Sequence, residues 1–299
     1  MDRLAFMETF VRVVESGSFA EAARKGGLSR AAVSKYIEAL EEHLGIRLLN
    51  RTTRSLHLTV EGELYYHRCC RILEEISEAE QSVTHLHAEP RGLLRVSAPM
   101  SFGALHLAQI VTEFLSAHPA VELDLVLNDR FVDLVEEGFD VAVRIGTLGD
   151  STLMVRRLAN ARLVACASPG YLASRGEPTS PEALSDHSCL LYSYTASPGL
   201  WRFRRDGEEF TARVTGLLRA NNGEALRLAA RSGLGIVLLP TFLVAEDLQA
   251  GLLKPLLTDY SLPLLGIHAV CPSTRHVSAK VRKFIDFLVN RLGRRPEWA

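Results

Sequence analysis

The stretch from Phe19 to Leu40, FAEAARKGGLSRAAVSKYIEAL, decides the fold of the N-terminal part of the chain. Apolar residues recur at helical spacing on both sides of the Gly26-Gly27 pair. In a helix-turn-helix, two helices pack closely across a tight turn. This packing needs a small residue late in the first helix and a glycine in the turn. Ala23 and Gly27 have that spacing, so the stretch predicts a helix-turn-helix.

The second helix of this motif is expected to turn a polar face outward. Leu28, Val33 and Ile37 would anchor the opposite face in the core. An arginine or lysine on the outer face can contact guanine edges or phosphates, and an alanine suits a thymine methyl group. We therefore expect contacts with double-stranded DNA from Ser29, Arg30, Ala31, Ser34 and Lys35.

A short hairpin is predicted after the helices, because residues 46–49 and 56–59 alternate in polarity around a polar turn. From Arg24 to His57 the chain has seven basic and three acidic side chains, although the net charge of the whole chain is only −1. This local positive charge favours a winged motif that contacts the DNA backbone or minor groove. The wing contacts are expected from Arg51, Thr52, Thr53 and Arg54. The alternative is a helical hairpin with solvated charges, since helix-turn-helix patterns alone are weak evidence.

A long helix is predicted from Thr59 to His87, a stretch without proline. Its apolar seam cannot be buried by one helix alone, so we expect it to pair with a second copy of the chain. Pro90-Arg91-Gly92 would end the helix. The seam, interrupted at Glu80, consists of Tyr66, Cys69, Leu73, Ile76 and Val83.

The remainder of the chain alternates strands and helices, which is typical of a parallel sheet with crossover helices. A second set of strands and helices starts near Arg162, so two similar lobes with a cleft between them are expected. The strand 264–270 and the final helix 279–292 could return to the first lobe. In the first lobe the predicted strands are 93–98, 121–127 and 141–145, and the predicted helices are 102–117 and 132–137.

Length and composition exclude several classes of protein. A chain of 299 residues is about twice the usual domain length, so two domains are expected. No apolar run approaches the roughly 18–20 residues of a membrane span, and no secretory signal is visible at the N-terminus, so we expect a cytoplasmic protein without membrane contact. The five scattered cysteines argue against a disulfide framework and a zinc site.

The motifs in the first 62 residues resemble those of the LysR-type transcriptional regulators. Gln-Pro is common in that family where this chain has Arg30-Ala31, and arginine is common where it has Lys35, so the bases that are read can differ. The matching residues are Phe19 to Ala23, Gly27 to Ile37, Leu40-Glu41, Leu44-Gly45, Leu48, Arg51 to Arg54, Leu58-Thr59 and Gly62.

The resemblance extends over the whole chain and implies an architecture. A winged helix-turn-helix at 1–59 and a linker helix for dimerisation at 60–89 would precede an effector domain at 90–299. That domain would be an α/β, two-lobed fold similar to type 2 periplasmic binding proteins, with lobe I at about 90–161 and 266–299 and lobe II at about 162–265. A homodimer on an inverted-repeat operator, assembly to a homotetramer, and contact with RNA polymerase are also implied.

The resemblance places a small-molecule effector between the lobes, at Pro99, Met100, Ser101 and Phe102. Free N–H groups at that helix N-terminus and the Ser101 hydroxyl would suit a carboxylate. Ser101 could instead be only an N-cap, Arg144 could pair with an acid, and Phe203 and Trp201 could be one buried strand face. Further cleft candidates are Asn128 with Asp129, Arg144, Phe203, and Asn221 with Asn222, since ligands bind outside the carboxyl ends of parallel strands.

The two alternative functional classes are an enzyme and a constitutive architectural DNA-binding protein. An enzyme would need one of the known constellations, but G-x-S-x-G, H-E-x-x-H, the P-loop and G-x-G-x-x-G are missing from the sequence, and Cys166 and Cys189 have no nearby His–acid pattern. We therefore expect no catalytic residue, no metal and no cofactor. A constitutive architectural DNA-binding protein would not need a cleft domain of this size. A response of DNA binding to small molecules would separate these possibilities.

Overall fold

The computed structural model describes residues 2–51, 56–84, 89–146, 152–195, 197–273 and 277–293, with only the backbone at 51, 74, 75 and 77–84. The chain forms two compact units, Met1–Glu89 and Pro90–Ala299. None of the helices in these ranges is both long enough and apolar enough to cross a membrane.

The N-terminal unit contains the helix-turn-helix, the wing strands and the long helix that the sequence predicted. The two strands pair antiparallel. Its elements are α1 (Arg3–Ser16), α2 (Phe19–Gly26), α3 (Arg30–Leu44), β1 (Leu49–Arg51), β2 (Leu56–Leu58) and α4 (Val60–Thr84).

The turn between α2 and α3 forms for local reasons. Gly27 has φ +63°, a left-handed conformation that favours glycine, and its N–H donates to the carbonyl of Ala23. Ser29 caps α3, because its Oγ accepts a hydrogen bond from the Ala32 N–H at 3.1 Å. Ser18 occupies the corresponding position before α2 but makes no side-chain capping bond.

The wing is held to α3 and α4 by hydrogen bonds that are in part shielded from solvent. Glu41 Oε1 accepts from the N–H groups of Leu48 at 2.8 Å and Leu49 at 3.1 Å. Thr59 Oγ1 donates to the Arg47 carbonyl at 2.8 Å and accepts from the Gly62 N–H at 2.9 Å, which caps α4. At position 62 a Cβ would lie 2.0 Å from the Leu48 carbonyl oxygen, so this contact requires glycine.

The structure corrects in part the prediction that the seam of α4 packs on a second copy of the chain. Cys69 is 0% exposed and packs in the same core cluster as Phe10 of α1, where Tyr66 and Leu73 also contact it. The first half of the seam is therefore buried within one chain, because α1 lies against α4. The seam residue Val83 lies outside the described side chains.

The C-terminal unit is an α/β fold, as predicted. Two short helical turns accompany it, a π-helical turn at Gly103–Leu107 and a 3-10 turn at Glu182–Asp186. The strands are β3 (Gly92–Ala98), β4 (Val121–Leu127), β5 (Val141–Ile145), β6 (Met154–Ala167), β7 (Cys189–Tyr192), β8 (Leu200–Arg205), β9 (Glu208–Arg213), β10 (Arg219–Ala220), β11 (Ile236–Pro240), β12 (Lys254–Leu256) and β13 (Leu264–Cys271). The helices are α5 (Met100–Phe102), α6 (Ala108–Ala117), α7 (Pro169–Arg175), α8 (Gly223–Arg231), α9 (Thr241–Gln249) and α10 (Ala279–Leu292).

One sheet joins the two expected lobes, in the order β10-β7-β11-β6-β13-β5-β3-β4, with β12 also on β6. The parallel strands β3, β4 and β5 lie on the lobe I side, and the parallel strands β7, β10 and β11 lie on the lobe II side. Between them, β6 and β13 pair antiparallel from Leu264↔Arg162 to Cys271↔Met154. Strand β6 crosses the expected lobe boundary at residues 161–162 without a break.

The predicted helix at 132–137 is wrong. Asp133 Oδ1 accepts hydrogen bonds from the N–H groups of Val135 at 2.9 Å and Glu136 at 3.0 Å, and Gly138 follows with φ +71°. These bonds are those of a helix N-cap, and the Glu137 N–H donates to the Asp133 carbonyl at 3.0 Å, but the segment ends after this single turn at Gly138. The apolar spacing of the segment serves that turn, since Val132 and Leu134 are buried.

Candidate functional site

The outward face of α3 is accessible, as a DNA-contacting helix requires. Arg30, Ala31 and Lys35 are exposed and Ser34 is half-buried, whereas Val33, Ile37 and Leu40 are buried on the other side. Neither Arg30 nor Lys35 forms an ion pair with a described residue. The exposed Ser29 accepts the capping bond, which leaves its hydroxyl proton available.

The wing candidates fall largely outside the described residues. Thr52, Thr53 and Arg54 are not described, and Arg51 is described only as the backbone residue that ends β1. Of the other basic residues near the helix-turn-helix, Arg24 is paired with Glu21 at 2.5 Å. Arg30 and Lys35 are therefore the cations best placed on α3 for a partner outside the chain.

In the C-terminal unit, the helix start after β3 is already occupied by an acid of the chain. The Met100 N–H donates to Asp129 Oδ1 at 2.9 Å, from the loop that follows β4. Pro99 is the N-cap of α5, so Ser101 lies within the first helical turn and is not an N-cap. The carboxylate of Asp129 takes the place that the sequence analysis assigned to an effector carboxylate.

A single side chain from the lobe II side contacts both of these lobe I groups. Asn222 follows β10, and its Nδ2 donates to Ser101 Oγ at 3.4 Å and to Asp129 Oδ2 at 3.3 Å. Its Oδ1 accepts from the Ala225 N–H at 3.1 Å and caps α8. Asn222 therefore links the start of α8 to the lobe I side of the cleft.

Two tyrosines complete the lobe II side of this cleft. Burial raises the pKa of Tyr192, and the nearby charge of Asp129 raises it further. The amide of Asn221 donates to the Tyr194 hydroxyl at 3.5 Å. Neither tyrosine was predicted from the sequence, although both lie at the carboxyl end of β7, which is beside that of β10.

The two arginines at the cleft are bound to groups of the chain. Arg144 donates to the carbonyls of Arg130 at 3.3 Å and Val132 at 2.8 Å, and lies over the ring of Phe131. Burial lowers the pKa of Arg144. Arg130 forms a two-pronged ion pair with Glu137, in which Nη1 lies 2.8 Å from Oε1.

Several expected cleft residues lie elsewhere. Phe102 is 0% exposed and packs edge-on against Phe242. Phe203 is 1% exposed and stacks near Tyr260 on the other face of the lobe II sheet, so the buried-strand alternative describes it. Asn128 Oδ1 accepts from the Arg130 N–H at 2.9 Å and shapes the loop. The structure brings together Met100, Ser101, Asp129, Asn221 and Asn222.

The described residues show no cluster for metal binding. No group of three or more His, Cys, Asp or Glu side chains in the described ranges could hold a metal ion. Burial raises the pKa of both Cys166 and Cys189 to about 12. These thiols are therefore protonated at neutral pH and are poor nucleophiles.

Comparison with known protein families agrees with both units. Residues 4–63 match the family described as bacterial regulatory helix-turn-helix protein, lysR family, and residues 87–293 match the LysR substrate binding domain. The chain belongs to the LysR family of bacterial transcriptional regulators. As a LysR-type regulator, it has a DNA-binding helix-turn-helix and an effector-binding domain.

Similar proteins of this family match over nearly the full length. The HTH-type transcriptional regulator CrgA of Neisseria meningitidis is 40% identical over 288 residues, which cover 96% of each chain. PtxR of Pseudomonas aeruginosa is 39% identical and covers 98% of this chain and 94% of its own. The solved structure of CrgA covers 97% of this chain and 98% of its own with a TM-score of 0.62. Full-length AphB of Vibrio cholerae is 31% identical, with 96% and 98% coverage and a TM-score of 0.61.

Replacing Asn222 by Asp tests the link across the cleft. The aspartate keeps an oxygen that caps α8 but places a second carboxylate against Asp129, so we expect the free energy of unfolding of the C-terminal unit to fall by about 1–3 kcal/mol at pH 7. Like charges raise the folded-state pKa of one carboxyl group, so this loss should disappear as the pH falls below about 4. Denaturant unfolding at several pH values measures both effects.

The matched control exchanges the two side chains. In Asn222→Asp combined with Asp129→Asn, an amide again faces a carboxylate, and stability at pH 7 should return towards that of the wild type. An Asn222→Asp variant that is as stable as the wild type at pH 7 would contradict the contact.

Proposed function

We propose that this LysR-type regulator binds a specific operator through the outward face of α3 and the wing. The observation that carries the proposal is the exposed Arg30, Ala31 and Lys35 on a helix whose opposite face is buried, with no described ion pair for either cation. Ser29 and Ser34 would add contacts to phosphates or base edges. Arg51, Thr52, Thr53 and Arg54 would contact the DNA backbone or the minor groove.

We propose that the chain acts as a homodimer on an inverted repeat, with half-sites about one helical turn apart. Because Cys69 is buried within one chain, the pairing surface of α4 is assigned to its exposed apolar residues instead. Leu64 is 61% exposed and Ile72 is 39% exposed, and their spacing of eight residues places them on one helix face. Assembly of two dimers to a tetramer, and contact with RNA polymerase, complete the proposed arrangement.

We propose that a small-molecule effector binds in the cleft near Met100, Ser101, Asp129 and Asn222. A ligand that favours one separation of the lobes shifts the equilibrium by its differential affinity for the two states. Breaking or keeping the Asn222 contacts with Ser101 and Asp129 is a direct source of such a difference. The change would move the two DNA-binding units of a dimer and so alter transcription.

We propose a carboxylate as the effector class, and the contact between Met100 and Asp129 restricts how it can bind. It would compete with Asp129 for the Met100 N–H, and displacement of Asp129 would also release Asn222. Binding and opening of the cleft would thus be coupled. A thermal-shift screen in which carboxylates have no larger effect than their matched amides would count against this class.

We further propose that the protein acts without catalysis, in the cytoplasm. The curated relatives that it matches are transcriptional regulators. The two candidate nucleophiles are buried and protonated, which supports a binding role.

Replacing Lys35 by Ala should weaken DNA binding by about 1–3 kcal/mol, because one cation on the α3 face is lost. We would measure Kd by fluorescence anisotropy on a duplex from immediately upstream of the gene, at several salt concentrations. A loss that is equal on all sequences, with a salt slope reduced by about 1, identifies a phosphate contact. A loss that depends on sequence identifies a base contact.

The control for this experiment is Lys283→Ala, which removes the same charge from an exposed position in α10. It should bind DNA like the wild type. Unchanged binding by the Lys35→Ala protein would contradict the assignment of the α3 face.

Replacing Leu64 by Glu should halve the mass of the assembled protein at micromolar concentration, because a buried unpaired carboxylate at the α4 interface is costly. Light scattering after size exclusion measures the mass. Leu252→Glu, at a leucine that is 44% exposed in the C-terminal unit, is the matched control and should leave the mass unchanged. An unchanged mass for the Leu64→Glu protein would rule out this surface.

A further inference from the structure

A cavity of about 500 Å³ opens on the lobe II side of the C-terminal unit, away from the effector cleft. It lies between the β8–β9 hairpin and the edge of the sheet at β10. Its size falls in the range of small-molecule sites, about 300–1,000 Å³. The residues that line it include Leu191, Leu200, Arg213, Val214 and Arg219.

The cavity and the cleft use opposite faces of the same two strands. In β7, Leu191 packs in the core cluster under the hairpin, whereas the next residue, Tyr192, packs with the cluster on the other face. In β10, Arg219 lines the cavity, whereas Ala220 packs with that second cluster. Because side chains alternate along a strand, the cavity is a site separate from the cleft.

Two arginines line this cavity without a partner in the described chain. Arg213 and Arg219 are both exposed, and neither side chain forms a hydrogen bond or an ion pair with a described residue. The same hairpin face offers a contrast. Arg202 and Arg204 lie 4.0 Å and 3.9 Å from the carboxylate of Glu209.

The position of Arg213 explains why Glu209 does not pair with it. In the antiparallel register, Arg204 stands opposite Glu209 and Arg213 stands opposite Leu200, at the far end of the hairpin. Arg213 therefore lies at the cavity end of the hairpin, and Arg219, whose strand partner is Leu191, also lines the cavity.

Part of the remaining lining is apolar, beside the polar Thr215. Leu191 is 7% exposed and Val214 is 2% exposed, so packing fixes the position of both side chains. Leu200 lies at the rim and is 37% exposed. A guanidinium group binds a carboxylate through two parallel hydrogen bonds, and an apolar wall adds affinity for a hydrocarbon body. Inorganic anions would use the arginines but gain nothing from the leucines and the valine.

We propose that this cavity is a second ligand site, for a small organic acid with one carboxylate and an apolar body. The carboxylate binds Arg213 and Arg219, and the apolar body lies on Leu191, Leu200 and Val214. Arg219 is two residues before Asn221, so a ligand that orders Arg219 acts on the strand that leads into the cleft.

The test measures the reactivity of each arginine in the full chain with phenylglyoxal, read by peptide mass spectrometry, with hexanoate as the probe. At four times its Kd, hexanoate should slow the modification of Arg213 and Arg219 about fivefold, since occupancy lowers the free fraction in proportion to 1 + [L]/Kd. Modification of Arg202 and Arg204 should not change. Hexanamide and inorganic phosphate should give much weaker protection.

A variant makes the test specific. Arg213→Gln should remove most of the protection of Arg219 by hexanoate, whereas Arg202→Gln should leave it unchanged. Both residues are exposed, so both variants should unfold like the wild type.

The proposal would be overturned if all four arginines were protected to the same degree, or if phosphate protected as well as hexanoate. It would also be overturned by no protection at 10 mM hexanoate, which is well above the roughly millimolar Kd of a weak ligand. It would also be overturned if Arg213 and Arg219 became reactive only on dilution, because a second copy of the chain would then cover them.

Discussion

The antiparallel pairing of β6 with β13 is the constraint on which the sensing unit depends. The two strands pair over residues 264–271 of β13, and together they connect the two halves of the sheet. Strand β13 also pairs with β5, and β6 also pairs with β11 and β12. The two lobes are therefore joined by continuous strand pairing, and the carboxyl ends of their parallel strands lie on either side of this pair. At the cleft, Asn222 is the described side chain that bonds to both Ser101 and Asp129.

In the N-terminal unit, Glu41 has a comparable role. Its carboxylate accepts two N–H groups at the start of the wing, while Leu40 and Ile37 on the same helix are in the core. The wing therefore has a defined position relative to α3. Thr59 and Gly62 continue this arrangement into α4, through a cap and a close approach to the Leu48 carbonyl. These contacts give a physical reason for three of the residues that carry the family resemblance.

Local patterns allowed much of the fold to be predicted from the sequence. The strands at 121–127 and 141–145 and the final helix at 279–292 have the predicted bounds, because their apolar spacing and flanking residues agree. The helix predicted at 132–137 is a single turn, because Gly138 takes a left-handed conformation directly after it. The residues that bury Cys69 could not be predicted from the local pattern either. An apolar seam does not show whether it packs on α1 or on a second copy of the chain.

The cleft was predictable in position but not in its contacts. The family resemblance led to Met100 and Ser101, the rule for strand ends led to Asp129, and the pair 221–222 was a candidate because it precedes a helix. They did not show that Asp129 accepts the Met100 N–H, since that depends on how two loops meet. For Phe203, the alternation along the strand shows only which residues share its face. Only the tertiary packing decides that this face is in the core.

Selection of bound duplexes from a random DNA library by the purified full-length protein, followed by sequencing, tests the central claim most directly. The account predicts enrichment of one inverted repeat whose half-sites are centred about 10 base pairs apart, with affinity at least about a thousandfold above that for unselected DNA at physiological salt. No enrichment over the starting library, or enrichment of a single half-site without symmetry, would contradict it.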